Sequence, residues 1–293
     1  PIGFWSSLIF SKFINENLFF YRLPFILYGL GTTIVLYKLG QEIKNTYLGL
    51  WSALLYNLAP FYFFSGGLFV VPDAPLNLGI VLVGYCLVRL HNNYSKNENY
   101  FLLLLGLSLA LCFASKYQGF LIGAGCLIVL YFSPKKILFL KNPIFYLCIL
   151  VSVSGLLPSL IWNYQNNWIS FQFHGSRQGF TLNLSNFLIM LFASFLYLLP
   201  QTILLPITKL FRIIKNKNFE IINLTPEKIL TLLALPNIII FSIVYITSNK
   251  TFPHWIMPGW LLLLPIIANI LVISYSRIKI IIFYSSTIFI WSL

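Results

Sequence analysis

Asp73 stands between Pro72 and Pro75 in "VVPDAPL", at the edge of two apolar runs, in a chain with only six acidic residues among 293. A carboxylate there can cap the helix that follows, with Pro75 in the tolerated first turn. A cap of this kind is also held rigidly enough to act as a base or to bind a hydroxyl or amine. Lys116, in "CFASKYQGF", lies at the junction of two apolar runs with no loop to retreat into. It either snorkels to lipid headgroups or binds a phosphate, with Tyr117 and Gln118 as hydrogen-bonding groups beside it. The stretch "WNYQNNWISFQFHGSRQGF" interleaves aromatic rings with amides and carries Trp168, His174 and Arg177. It reads either as an interfacial aromatic belt or as a headgroup or sugar site, with the Arg177 fork suited to a phosphate. "SNKTFPHWIMPGW" adds Lys250 and His254 before another apolar run.

Other chemistry finds little support. There is no P-loop, no GxGxxG and no HExxH. No cofactor is assigned; His174 and His254 lack a third fixed ligand, so a divalent metal stays open. The four cysteines, Cys86, Cys112, Cys126 and Cys148, fall inside apolar runs and read as small fillers. Glu16 and Arg22 flank an apolar run and suit a pair with each other or with headgroups. His91 and Glu98 read as solvated loop residues.

These residues must be positioned by elements built for lipid. Hydrophobic residues make up 59% of the chain and charged ones 9%, with a mean hydropathy of +0.86. A soluble domain has about 25% charged residues, so the composition excludes a water-facing globule. Apolar runs at 20–38, 46–64, 74–90, 100–114, 117–133, 143–162, 186–208, 229–247, 255–274 and 279–293 predict about ten membrane-spanning helices. The runs at 100–114 and 117–133 are short enough to be a bent pair. Residues 1–14 have an aromatic and aliphatic face with one lysine and predict an interfacial helix. With no linker or repeat in view, residues 1–293 read as one transmembrane domain. The fold class is all-α and polytopic.

The net charge of +13 sits mostly in alternate loops, at 38–45, 89–99, 133–142, 209–228 and 275–279. That pattern speaks for orientation in a membrane and against nucleic acid. It makes those loops cytoplasmic and puts Asp73, Lys116, His174, Arg177, Lys250 and His254 on the outer side. Ionisable groups at membrane depth are costly and are functional candidates. Residues 1–19 become an outer-face segment, and a helix with a first outer loop is expected upstream of Pro1.

The segments "YRLPFILYGLGTTIVLYKLG", "SGGLFVVPDAPLNLGIVLVGYCLVRL", "GLSLALCFASKYQGFLI", "PSLIWNYQNNWISFQFHGSRQGF" and "PHWIMPGWLLLLP", in this order, resemble bacterial membrane glycosyltransferases. These are similar to protein O-mannosyltransferases and aminoarabinose lipid A transferases, of the multi-helix GT-C superfamily. The resemblance implies an inverting transfer of a sugar from a polyprenyl phosphate donor to a hydroxyl or amine of a lipid, glycan or protein acceptor. It implies work at the outer face of a bacterial inner membrane. It makes Asp73 the second acidic position of the site, the principal carboxylate being expected upstream. Lys116, Arg177, Lys250 and His254 become donor-phosphate ligands, and Tyr117, Gln118, Trp168 and His174 substrate-binding groups. The competing class is a transporter or flippase of a lipid-linked saccharide. It would favour inverted repeats and charge lining a path to the cytoplasm, neither of which is visible.

Overall fold

A computed structural model describes residues 2–13, 17–92, 97–175, 182–200, 202, 224–248, 251–274 and 284–285. Among the described residues all regular structure is helical. The elements are α1 (Ile2–Phe13), α2 (Leu18–Ile43), α3 (Thr46–Leu58), α4 (Pro60–Phe63), a π-helical turn (Phe64–Leu68), α5 (Asp73–Asn92) and α6 (Glu98–Ser115). They continue with α7 (Gly119–Phe132), α8 (Lys136–Lys141), α9 (Pro143–Ser154), α10 (Leu157–Gln165), α11 (Ile169–Gly175), α12 (Leu184–Leu198) and α13 (Pro226–Thr247). A 3-10 turn (Pro253–Ile256) then leads into α14 (Met257–Ser274).

Local chemistry sets these boundaries. The side chains of Asn17, Asn45, Asn142, Asn183 and Thr225 accept backbone N–H bonds at the starts of α2, α3, α9, α12 and α13. Each satisfies a donor that the helix itself leaves unpaired. Pro60, Pro143 and Pro226 open α4, α9 and α13, where a missing N–H costs nothing.

Among the described residues six helical segments are long and apolar enough to cross a membrane, with Gly119–Phe132 and Leu184–Leu198 as shorter apolar helices. The chain is thus an all-α polytopic membrane protein with fewer clear spans than the ten expected. The run at 46–64 is the main difference. It breaks at Ala59–Pro60 and then relaxes into the π-turn "FSGGL", because Pro60 cannot donate to the preceding turn. The run at 143–162 bends at Gly155 and Leu156, between α9 and α10. The run at 279–293 lies outside the described residues except for 284–285. Residues 100–114 and 117–133 are two helices joined by a tight turn. Residues 2–13 form the expected N-terminal helix, packed against α2.

The centre of the bundle is α5, which packs on α2 and α6 and is the most buried of the long helices together with α14. Leu76, Ile80, Val83, Cys86 and Val88 are fully enclosed. All four cysteines are free thiols, three of them buried, as expected of apolar fillers. The chain direction puts the starts of α5, α7 and α14 and the end of α6 at one end of the bundle. The opposite end carries Glu42, Lys44, Arg89 and Lys135. There Arg89 pairs with Glu42 at 2.8 Å and lies over the Phe101 ring. His91, expected to be solvated, instead belongs to the last turn of α5, with its Nδ1 buried and unpartnered.

Candidate active site

Asp73 is the first residue of α5, with Pro75 in the same turn. It stands one position inside the helix that it was expected to cap. A negative charge in a first turn is still favoured by the helix dipole. The residue is 7% exposed.

Lys116 ends α6. Its backbone is extended (φ −157°, ψ 150°) and its N–H returns to Cys112 O. A turn follows, and Gly119 starts α7. That glycine is required, since a Cβ there would stand 2.4 Å from Cys112 O. One more glycine sets the distance between α5 and α6. A Cβ at Gly79 would stand 2.7 Å from Cys112 Sγ and 3.1 Å from Ser108 O. Bare backbone at Gly79 lets the helices close, as small residues do between membrane helices.

That closure brings Lys116 Nζ to 3.0 Å from Asp73 Oδ1 and 3.2 Å from Oδ2. Side-chain exposures are 21% and 10%. Its ammonium is held by a carboxylate at the bundle end, and both side chains are mostly buried.

His254 joins this pair. It lies in the 3-10 turn before α14, within reach of the charges of both Lys116 and Asp73. Its ring stacks on Phe61 (centroids 5.8 Å, 24°) and on Phe252 (5.6 Å, 27°). The adjoining Tyr62 hydroxyl donates to Met257 O at 2.7 Å and ties α4 to the start of α14.

Tyr117 points another way. Its hydroxyl accepts from Asn163 Nδ2 at 2.9 Å, and its ring meets Phe171 at 5.6 Å. Trp168 packs on the same Phe171. The turn before α11 places Asn167 (φ 52°) and Trp168 (φ 57°) in the left-handed region, which a bulky residue such as Trp168 seldom adopts. Gln118 is 4% exposed and its Oε1 has no partner. Arg177 and Lys250 lie outside the described residues, as do Glu16 and the side chain of His174.

The structure thus brings together Asp73, Lys116 and His254, and separately Tyr117, Trp168 and Phe171. Two participants escaped sequence reasoning. Phe61 looked like one apolar residue among many. Asn163, 0% exposed, was visible as an amide in "IWNYQNN", but nothing marked it as the partner of Tyr117. Among the described residues no cluster of three His, Cys, Asp or Glu is placed to hold a metal ion.

Cavities lie on both sides of the Lys116 turn. One, of about 490 Å³, is apolar and runs from Phe113 and Phe120 past Leu105 and Cys148 to Leu90 and His91. The other, of about 620 Å³, is lined by Trp5, Trp162, Tyr117, Asn163, Ser159 and Ser170 among others.

Residues 1–162 match the family described as dolichyl-phosphate-mannose-protein mannosyltransferase. The chain belongs to this family. Among solved structures it is similar to ArnT from Cupriavidus metallidurans bound to undecaprenyl phosphate. The TM-score is 0.71 at 15% identity, over 94% of this chain and 50% of that one. The apo state of the same ArnT gives a TM-score of 0.66 at 13% identity, over 94% and 49%. The chain spans about half the length of these structures, and the likeness shows a shared fold. No curated protein matches the sequence. The mannosyltransferase family and the ArnT-like fold agree with the resemblance carried by the five sequence segments.

Proposed function

We propose that this mannosyltransferase-family chain transfers a sugar from a polyprenyl phosphate donor to a hydroxyl or amine acceptor at the outer face of a bacterial inner membrane. Family membership and the lipid phosphate bound by the similarly folded ArnT support the donor class. The segregation of Asp73, Lys116 and His254 from the lysine-rich bundle end supports the outer face. The observation that carries the reading is the mostly buried Asp73–Lys116 pair at the lysine-poor end of the bundle.

In this mechanism an acceptor lone pair forms the new bond to the anomeric carbon. The anomeric C–O bond breaks with its electrons passing to the phosphate oxygen, and the acceptor proton leaves to a carboxylate or water. Negative charge grows on the phosphate. An ammonium has three N–H donors. Two suffice for the Asp73 oxygens, and the third can meet a phosphate oxygen. Asp73 holds the ammonium in place beforehand, so little reorganisation is needed as charge develops. His254, Arg177 and Lys250 complete the donor site, and the Phe113–His91 cavity takes apolar tail.

The test uses the full-length protein in vesicles supplied with undecaprenyl phosphate-linked hexoses. Transfer or release of the sugar is expected with the wild type and severe loss with Asp73→Asn. Turnover unchanged in Asp73→Asn would remove the pair from the reaction.

A further inference from the structure

The apolar cavity extends to the lysine-rich end of the bundle, far from the Asp73–Lys116 pair. We propose that this end binds one anionic phospholipid, with an acyl chain inside the cavity and the phosphate beside the lysines of α8. The assignment rests on the membrane-spanning fold and is independent of the glycosyl-transfer reading. A donor tail would enter the same cavity from the opposite end, at Phe113 and Phe120.

Shape comes first. The floor of the cavity is α6, with Leu102, Leu105, Leu109 and Phe113 along it, and α7 and α9 are its walls. The three leucines of the floor are buried, whereas Leu127 on α7 and Ile149 and Val153 on α9 are exposed. The cavity is thus a groove that opens between two helices toward lipid. Leu102 and Phe113 are about 16 Å apart along α6 at ~1.5 Å per residue, or about half of a ~30 Å hydrocarbon core. A volume of about 490 Å³ over that length leaves a section of about 30 Å², where a helix ~10–12 Å across would need about 80 Å² or more. The groove suits an extended hydrocarbon chain and is too narrow for a partner helix.

Charge then chooses the headgroup. The short helix α8 joins α7 to α9 at the lower mouth. Its Phe139 lines the cavity, while Ile137, Leu138 and Leu140 are exposed, which sets it at the boundary between hydrocarbon and headgroups. Lys136 starts α8 on the α7 side, with Nζ 5.5 Å from the centre of the Tyr131 ring. Lys141 ends it on the α9 side. Both lysines are exposed, and among the described residues neither is in an ion pair. Lys135 donates to Leu90 O and His91 O and so holds a third positive charge where Leu90 and His91 line the cavity. One carboxylate stands at this mouth, Glu98, which accepts from Asn142 Nδ2 at 3.3 Å. Three lysines against one carboxylate leave the mouth positive, and a basic pocket between membrane helices attracts anionic headgroups.

Groove and charge together define one ligand. The groove accepts the chain of any lipid, and the lysines prefer one whose headgroup is anionic. A chain lying there fills the space between α7 and α9, both of which rest on α6, and fastens that part of the bundle. A ligand that binds only the folded protein raises its melting temperature, so the site has a stability readout that needs no turnover.

The experiment uses the purified full-length protein, delipidated in detergent, with phosphatidylglycerol and phosphatidylcholine of identical acyl chains. Native mass spectrometry counts the bound lipids, and thermal unfolding reads the stabilisation. One phosphatidylglycerol is expected to bind saturably, about tenfold or more tightly than phosphatidylcholine, and to raise Tm. Lys136→Gln and Lys141→Gln should each weaken phosphatidylglycerol about fivefold and leave phosphatidylcholine unchanged. Ala124→Phe, at a position that lines the cavity, should weaken both lipids. Since that variant can also disturb packing, the seat of the chain is read in the wild type as well. Phosphatidylglycerol with a photoreactive diazirine in its chain is expected to label Leu102, Leu105 or Leu109, which are buried on the cavity floor. Equal binding of the two lipids, or indifference to both lysine variants, overturns the headgroup assignment. Labelling confined to outward residues such as Leu150 overturns the seat in the cavity. Undecaprenyl phosphate that displaces phosphatidylglycerol and binds more weakly to Lys136→Gln would give this end to the donor phosphate and overturn the phospholipid.

Discussion

Lys116 Nζ lies between the two carboxylate oxygens of Asp73, at 3.0 and 3.2 Å, and so joins the end of α6 to the start of α5 across 43 sequence positions. The surroundings of each residue suggested a cap or base for Asp73 and snorkelling or phosphate binding for Lys116; the structure adds that the two groups are paired with each other. Each is the reason that the other tolerates burial, since an unpaired charge at this depth would be costly.

The pair should therefore behave as a coupled unit in stability. Asp73→Asn leaves a mostly buried ammonium without its counter-charge and is expected to cost about 3 kcal/mol, as is Lys116→Met. The double variant should cost less than the sum by about 2 kcal/mol. Thermal unfolding of the four proteins in one detergent measures this. Additive losses would mean that the contact contributes nothing beyond its separate parts.

The approach of α5 to α6 should depend on the missing side chain at Gly79. A methyl there would stand 2.7 Å from Cys112 Sγ and 3.1 Å from Ser108 O, so Gly79→Ala must push the helices apart. Overpacking of this kind costs about 1–3 kcal/mol. It should also lower activity, because the ion pair lies beyond the same contact. Cys112→Ala removes the nearest atom, and the double variant is expected to recover part of both losses. A Gly79→Ala protein with wild-type melting and turnover would show that the helices have slack at this level.

How far the sequence could foresee this arrangement depends on the range of each interaction. The bilayer class and most helices were legible because hydropathy and Asn, Thr and Pro boundary signals are local. Asp73, Lys116 and His254 stood out because each is a costly group beside an apolar run. That they meet was less legible, since it depends on a helix approach fixed by Gly79, a residue with no charge or periodicity to mark it. The run at 46–64 was misjudged as one span although Pro60 sits inside it. Hydropathy averages over a proline, whereas the hydrogen-bond ladder does not. Sequence grouped Asp73, Lys116, Tyr117, Trp168 and His254 at one end without dividing them; the ion pair of Asp73 with Lys116 and the separate packing of Tyr117 and Trp168 on Phe171 came only from the structure.

Asn163 should matter more for order than its single position suggests. Asn163→Leu fits a similar volume but leaves Ser170 N–H without its acceptor and takes the Asn163 donor from Tyr117. The expected loss is about 1–3 kcal/mol. Hydrogen exchange should rise locally at residues 166–172 and stay unchanged at the Arg89–Glu42 end. A uniform rise over the whole chain would instead make Asn163 a general stability residue.

Lys116→Arg separates the two tasks assigned to this lysine. A guanidinium forks onto a carboxylate readily, so Asp73 should keep its partner and the melting temperature should stay near that of the wild type. The charge, however, becomes planar and is displaced from the position that the ammonium occupies. If Lys116 also meets the donor phosphate, a shift of about 1 Å is enough to slow the reaction by about 100-fold, mainly in kcat. Lys116→Met should lose stability and turnover together. Wild-type kcat in Lys116→Arg would mean that the lysine serves only to hold Asp73, and the phosphate would then have to be met by His254, Arg177 or Lys250.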